Sequence, residues 1–296
     1  MDKVLSLDVG GSFIKYAIIN SRYEILSQNK IDTPTVYNDF IYAVKDIVKS
    51  VKDEIDSISL ALPGGYNFLK DEIFAPNLTS LNGKNIKRDL KEYVNLDVYV
   101  ENDANLAALG EYTLYEKDKI QNMILITLGT GVGGGLIIDG KLPKNPITSF
   151  EVGHISLEPR GRLCGCGRLG CFDEYCSSVG LLETYKELIG KDVNLTPVEL
   201  GQLADKGDKI AVTTFNKYAK QLAFGLLNIA NLFYAEKIKI GGGLSELSRH
   251  YISECQKLFN KDIFPMYRDK ISLEVASLKN NAGIIGASIN YFNNKK

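Results

Sequence analysis

Two stretches of this chain repeat each other, and the repeat constrains the fold more than any other feature. Residues 4–20 read VLSLDVGGSFIKYAIIN and residues 123–139 read MILITLGTGVGGGLIID. At a fixed offset of 119, Asp8 meets Thr127, Gly10 meets Gly129, Gly11-Ser12 meet Thr130-Gly131, and Ile18-Ile19 meet Ile137-Ile138. Each copy reads as a buried strand, a glycine-rich turn and a second strand. One such hairpin is ordinary. Two of them, one in each half of a 296-residue chain, point to a duplicated domain that grips a phosphate from both sides. Glycine turns suit that task because backbone N–H groups can close on an anion.

The elements around the repeat predict a mixed α/β sheet with helices on its faces. Residues 4–9, 13–19 and 24–30 are expected strands. Residues 40–51 place apolar side chains at 40, 41, 44, 47, 48 and 51, the helical period. A strand over 58–62 is stopped by Pro63-Gly64-Gly65. A short helix is expected over 85–93. A strand over 98–100 leads into Glu101-Asn102-Asp103, where a helix to about Tyr115 begins. The second half predicts helices over 179–189, 196–204 and 210–234, with Pro197 at a first helical position. A strand over 237–240, a helix over 245–259, a strand over 271–275 and a closing helix over 282–292 follow.

Near the middle, His154, Cys164, Cys166 and Cys171 form a cluster that holds three of the five cysteines and one of the two histidines. Four N/S ligands of this kind suit a closed tetrahedral Zn2+ site, since thiolate and imidazole select that ion. The other readings are a loop with incidental buried thiols, or a disulfide. Cys164 and Cys166 are too close in sequence for an easy disulfide. Glu151 lies three residues before His154, and Asp173 two after Cys171. A metal that pins this loop also pins two carboxylates. An odd cysteine number with a metal-like cluster implies a reducing compartment, so a cytoplasmic protein is expected. A net charge of −1 leaves no footprint for nucleic acid or an anionic membrane.

Asp8-x-Gly10-Gly11-Ser12 offers backbone N–H groups and a hydroxyl to phosphate oxygens, and Asp8 can hold Mg2+ through water. Thr127-x-Gly129-Thr130-Gly131-x-Gly133-Gly134-Gly135 is a second anion cradle or a flat edge hairpin. It lacks the Gly-Lys-Ser/Thr of a Walker loop, and a strand rather than a helix follows it. Glu101-Asn102-Asp103 reads as a helix cap. Beside two phosphate turns, Asp103 also becomes a candidate general base for a hydroxyl, with Asn102 orienting the same substrate. Gly241-Gly242-Gly243 lets a flat ring approach the backbone, or is a simple strand-to-helix turn.

Together these residues resemble the ROK family of sugar kinases and repressors, within the actin/hexokinase/Hsp70 superfamily. The resemblance spans nearly the whole chain. It is carried by Asp8-Val9-Gly10-Gly11-Ser12, Pro63-Gly64, Asn102-Asp103-Ala104-Asn105, Leu128 to Gly135, Glu151-x-Gly153-His154, Cys164-x-Cys166-Gly167-x-x-Gly170-Cys171, Gly241-Gly242-Gly243 and Gly286-Ala287. It implies a two-lobed actin-like ATPase fold, built from duplicated ribonuclease-H-like domains with a zinc-stabilised loop. The implied lobes are residues 1–116, joined by the closing helix 282–296, and residues 117–281. They are implied to close on the sugar.

The implied activity is ATP-dependent phosphorylation of a hexose, with glucose at its 6-hydroxyl as the default. Fructose, allose, mannose and N-acetylhexosamines are the rivals. Asp103 is implied as catalytic base. Pro63, Gly64, Asn77, Asn102, Glu151, His154 and Asp173 are implied as sugar contacts, with His154 also a zinc ligand. Asp8, Gly10, Gly11, Ser12, Lys15, Thr130, Gly131, Gly133, Gly241, Gly242 and Gly243 are implied to hold ATP with Mg2+. A homodimer or a tetramer of dimers is implied. A repressor of this family would carry a helix-turn-helix ahead of the Asp8 motif, where seven residues stand here. Asp103 and both phosphate turns argue against a sugar sensor without catalysis.

Four positions depart from the family pattern. Ser12 stands for the usual Thr and keeps the hydroxyl. Asp173 stands for a Glu that touches the sugar. Leu81 falls near the usual Trp, and Ala235 replaces a Pro. Asp173 and Leu81 bear on which sugar fits, and none of the four is expected to touch the phosphoryl-transfer apparatus.

Overall fold

The computed structural model describes residues 2–76 and 78–295. Its chain groups into two compact units. The first takes in residues up to Asp118, Gly135–Phe150 and the chain from Asn280 onward; the second takes in Lys119–Gly134 and Glu151–Lys279.

The first unit is built on a five-stranded sheet in the order β3-β2-β1-β4-β7. Its strands are β1 (Lys3–Val9), β2 (Phe13–Asn20), β3 (Ile25–Asp32), β4 (Ser57–Leu62) and β7 (Asp97–Asn102). β1 and β2 are antiparallel, as are β2 and β3, whereas β4 runs parallel to both β1 and β7. Helix α1 (Tyr37–Val51) buries Phe40, Ile41, Val44, Ile47 and Val48, the stripe its periodicity predicts. They join Leu5, Leu7, Ile58 and Leu60 in one core. Fully burying one such side chain stabilises by about 1.5–3 kcal/mol. A small hairpin, β5 (Gly65–Asn67) with β6 (Glu72–Phe74), follows β4, and the short helix α2 (Ile86–Lys91) precedes β7. The sequence gives no alternation over those three-residue strands. Their turn is set instead by Asn67 Oδ1, which accepts from the N–H groups of Leu69 and Lys70.

Helix α3 (Asp103–Glu111) continues into a π-helical turn over Tyr112–Glu116. The second sheet has the order β11-β10-β8-β9, with β8 (Met123–Leu128), β9 (Val132–Ile137), β10 (Lys237–Gly241) and β11 (Ser272–Val275). β10 runs parallel to both β8 and β11. Read from the other edge, β9-β8-β10-β11 repeats β2-β1-β4-β7, as the sequence repeat predicts. β3 has no counterpart among the described residues. The division between units falls within β9. The return of residues 135–150 to the first unit was not part of the sequence reading. Its cause is local: Thr148 exchanges hydrogen bonds with Tyr66, its hydroxyl accepting from the Tyr66 N–H at 2.8 Å and its N–H donating to the Tyr66 carbonyl at 2.9 Å.

The second unit adds α4 (Asp173–Cys176), α5 (Ser178–Ile189), α6 (Pro197–Asp205), α7 (Lys209–Leu232) and α8 (Ile252–Asp262). α6 begins with a capping box between Thr196 and Glu199, with Pro197 in its first turn. The helix predicted over 245–259 is two pieces, a 3-10 stretch (Gly243–His250) and α8. The break falls at Tyr251, whose buried hydroxyl donates to the Leu244 carbonyl at 2.9 Å. The closing helix α9 (Ala282–Asn294) belongs to the first unit. Among the described residues no helix is long and apolar enough to cross a membrane.

Candidate active site

In the first unit, Gly11 and Ser12 form the exposed tip of the first turn. Gly10 N–H donates to the Phe13 carbonyl at 2.9 Å and closes the hairpin. Asp8 and Lys15 are cross-strand partners on β1 and β2. The Asp8 carboxylate packs against α9 at Gly283, where a Cβ would fall 2.8 Å from its Cγ. Desolvation there raises the Asp8 carboxyl above the ordinary carboxylate range, and Lys15 opposes the rise. Lys15 Nζ also donates to the Asn280 carbonyl at 3.3 Å.

Sequence reasoning missed Thr33, which braces this turn. Its hydroxyl donates to the Gly10 carbonyl at 2.7 Å and its N–H to the Ser12 carbonyl at 3.0 Å. It lies just past the end of β3, and no local pattern marks it.

Asn102 and Asp103 stand where β7 passes into α3. Asn102 is the cap: its Oδ1 accepts from the Asn105 N–H at 2.9 Å. Its Nδ2 donates to the Gly64 carbonyl at 2.8 Å and to Asp103 Oδ1 at 3.1 Å. Asp103 Oδ1 also accepts from the Ala104 N–H at 2.8 Å. The two readings of this motif therefore separate by residue, Asn102 taking the cap and leaving Asp103 on the first helical turn.

Pro63-Gly64 follows β4 directly. Gly64 has φ +83°, and a Cβ would lie 2.3 Å from the Phe74 carbonyl oxygen, so no larger residue fits. Glu101 Oε1 accepts from Asn102 N–H at 2.9 Å and from Asn105 Nδ2 at 3.0 Å, fixing the strand-to-helix corner. Close packing also holds α3. A Cβ on Gly286 of α9 would lie 1.7 Å from the Leu106 carbonyl oxygen, and one on Gly135 would lie 2.4 Å from that of Ala104. Asn77 lies outside the described residues.

In the second unit, Thr130 is the exposed tip of the second turn, between Gly129 and Gly131. Gly129 N–H donates to the Gly131 carbonyl at 2.9 Å, and Gly133 continues into β9. Gly242 has φ +79°, and its Cβ would fall 2.4 Å from the Leu128 carbonyl oxygen. The Gly241–Gly243 turn therefore lies directly against the residue that precedes the Gly129 turn. Their contact brings two of the expected nucleotide-binding segments together.

His154, Cys164, Cys166 and Cys171 converge, with all four ligand atoms within 4.8 Å of one another. His154 Nδ1 lies 3.7 Å from Cys164 Sγ, and Cys166 Sγ lies 3.6 Å from Cys171 Sγ. A tetrahedron with 2.3 Å metal–sulfur bonds has edges of about 3.8 Å, so the cluster can hold a metal ion of that kind. Burial pushes the thiols of Cys164 and Cys171 up, while the Arg168 N–H pulls that of Cys166 down. A bound cation would deprotonate all three.

The loop is tied down by residues the sequence did not single out. Arg162 donates to the carbonyls of Glu174 and Gly180 and to the Thr184 hydroxyl, and pairs with Glu187. Phe172 packs on α7 at Gly225, where a Cβ would meet its ring at 2.5 Å.

Glu151 is exposed, ahead of the 3-10 turn that carries His154. Asp173 opens α4, and its Oδ1 accepts from the Val132 N–H at 2.5 Å. Burial raises the Asp173 carboxyl, and the Val132 N–H opposes this. The sequence reading set Asp173 apart from the phosphate turns. In the structure the side chain reaches Val132, the first residue after the second turn.

A sequence profile of the ROK family matches residues 4–291. The chain is 31% identical to a glucokinase of Streptomyces coelicolor, with 97% of each chain covered. It is 30% identical to an N-acetyl-D-glucosamine kinase of Haemophilus influenzae, covering 83% of this chain and 85% of that one. A ROK family glucokinase from Streptomyces griseus, solved in complex with glucose and AMPPNP, is 30% identical with a TM-score of 0.85, covering 97% of this chain and 98% of that one.

Proposed function

We propose, because this chain belongs to the ROK family and carries the family's turns, carboxylate and cysteine loop, that it is an ATP-dependent hexose kinase acting on the 6-hydroxyl of glucose. The observation that carries the reading is Asp103. Its carboxylate is fixed by Asn102 Nδ2 and the Ala104 N–H at the start of a helix packed through Gly286 and Gly135. Asp103 accepts the proton of the sugar hydroxyl as that oxygen bonds to the γ-phosphorus and the bond to the β-phosphate oxygen breaks, releasing ADP. The transition state is loose, so the base need not be strong. Holding the hydroxyl in line supplies much of the rate.

Pro63, Gly64, Asn77, Asn102, Glu151 and His154 take the remaining sugar hydroxyls. His154 turns Nδ1 toward Cys164, which leaves Nε2, on the far edge of the ring, to a hydroxyl. The phosphates are held by the tips Gly10-Gly11-Ser12 and Thr130-Gly131-x-Gly133 with Lys15, and the adenosine lies along Gly241-Gly242-Gly243. Asp8 would hold Mg2+, which would offset the phosphate charge. His154, Cys164, Cys166 and Cys171 would hold a structural Zn2+, which would supply rigidity to the loop. The protein works in the reducing cytoplasm, as a homodimer or a tetramer of dimers.

The test is ADP release over a panel of hexoses and N-acetylhexosamines with excess MgATP. Glucose is expected to turn over fastest. A faster rate with N-acetyl-D-glucosamine would favour the second reading, which the Haemophilus relative supports. No ADP release with any sugar of the panel would refute the kinase.

A further inference from the structure

We propose that Asp173 is a positioning residue for the second glycine turn; the proposal rests on the kinase reading. Asp173 lies 41 residues beyond Val132 in sequence, yet its Oδ1 accepts the Val132 N–H at 2.5 Å. Val132 is the first residue of β9 and directly follows the Gly129–Gly131 tip. The other end of the same residue is also constrained. A Cβ on Gly153 would fall 2.2 Å from the Val132 carbonyl oxygen, so the Glu151–His154 segment lies flat against it. On the other side of the tip, the Ser178 N–H at the start of α5 donates to the Gly129 carbonyl at 2.8 Å.

Three contacts from one stretch, Gly153 to Ser178, therefore bracket the turn that presents Thr130. Asp173 is the one of the three made by a side chain. Its short carboxylate suits the reach. A glutamate, longer by one methylene, would have to fold back to accept the same N–H. Moving Oδ1 away would leave the N–H of the buried Val132 unpaired, which is costly.

The experiment uses the full zinc-loaded chain and three variants, Asp173→Ala, Asp173→Asn and Asp173→Glu. AMPPNP binding is measured by calorimetry, KM is measured separately for MgATP and for the best hexose, and amide exchange is followed over residues 129–134. Asp173→Ala is expected to weaken AMPPNP binding and raise the MgATP KM by about tenfold or more, with the sugar KM within about threefold. Exchange over 129–134 should rise. Asp173→Asn retains an oxygen that accepts the N–H, and should return all three readouts to within about threefold of wild type. Asp173→Glu should lose nucleotide affinity, whereas a sugar contact would tolerate it. If Asp173→Ala fails to fold, the Asn and Glu variants still decide. The proposal is overturned if the sugar KM rises about tenfold or more in both Ala and Asn while AMPPNP binding and exchange stay unchanged. A wild-type chain that binds no AMPPNP refutes the kinase reading itself. Unchanged exchange over 129–134 in a folded Asp173→Ala variant sinks the tether whatever the activity.

Discussion

The two glycine turns share one plan and are braced by different means. In each, the first glycine closes the hairpin, Gly10 onto the Phe13 carbonyl and Gly129 onto that of Gly131. In each, the carbonyl of that glycine is itself capped. Gly10 takes the Thr33 hydroxyl, from just past β3. Gly129 takes the Ser178 N–H, from just past the cysteine loop. Among the described residues β3 has no counterpart in the second sheet, where β9 is an edge. The segment that follows the cysteine loop does there what the segment that follows β3 does in the first copy. A repeated hairpin thus does not require a repeated brace, provided that something caps the same carbonyl.

The difference predicts that the two turns fail separately. Removing the proposed Zn2+ has the largest expected effect. Chelation should abolish activity and raise amide exchange over residues 150–178 and 129–134, while residues 9–13 keep their protection. Activity undiminished in Cys166→Ser, or no zinc in the purified chain, contradicts this. Gly286→Ala should come next. Its Cβ would sit 1.7 Å from the Leu106 carbonyl oxygen, so α9 must shift off α3. A loss of about 3 kcal/mol or more in denaturant unfolding is expected. Gly11→Ala, with nothing within 4 Å of the added carbon, is the control and should barely change stability.

Thr33→Val removes the hydroxyl that caps Gly10 and should cost about 1 kcal/mol, without changing exchange over 129–134. The smallest effect on stability concerns Asp8. Its folded pKa is raised by desolvation, whereas the unfolded value is about 3.9. As pH falls from neutral through the raised folded value, the native state takes up a proton that the unfolded chain takes up only near its own. Stability contributed at this site therefore increases on acidification in that window and is lost as pH rises. Asp8→Asn should flatten that slope at no cost in stability at neutral pH, while removing activity. An unchanged slope would show that Asp8 is solvated.

Much of this was legible in the chain, and what was hidden has a common cause. The glycine turns could be read because only particular residue types serve there, and the four metal-site residues because they stand close together in sequence. Helix α1 announced itself by its apolar period. The contacts of Asp173 to Val132, of Thr33 to Gly10 and of Thr148 to Tyr66 span 41, 23 and 82 residues. Each joins an ordinary polar side chain to a backbone group, and backbone groups carry no residue-specific signal. The β5–β6 hairpin escaped because its strands are too short to show alternation. The break at Tyr251 escaped because a buried hydroxyl, not a glycine or proline, directs it.

The most direct test of the account is the kcat of Asp103→Asn on the best sugar. Asparagine keeps the shape and an oxygen for the Ala104 N–H, so the fold is expected to survive. Sugar and AMPPNP binding should stay within about tenfold, or about 1.4 kcal/mol. A kcat lower by a factor on the order of a hundred or more is the predicted result, the lower end of what a general base supplies. A kcat near wild type would contradict it, leaving Asp103 a residue of the helix start and no more.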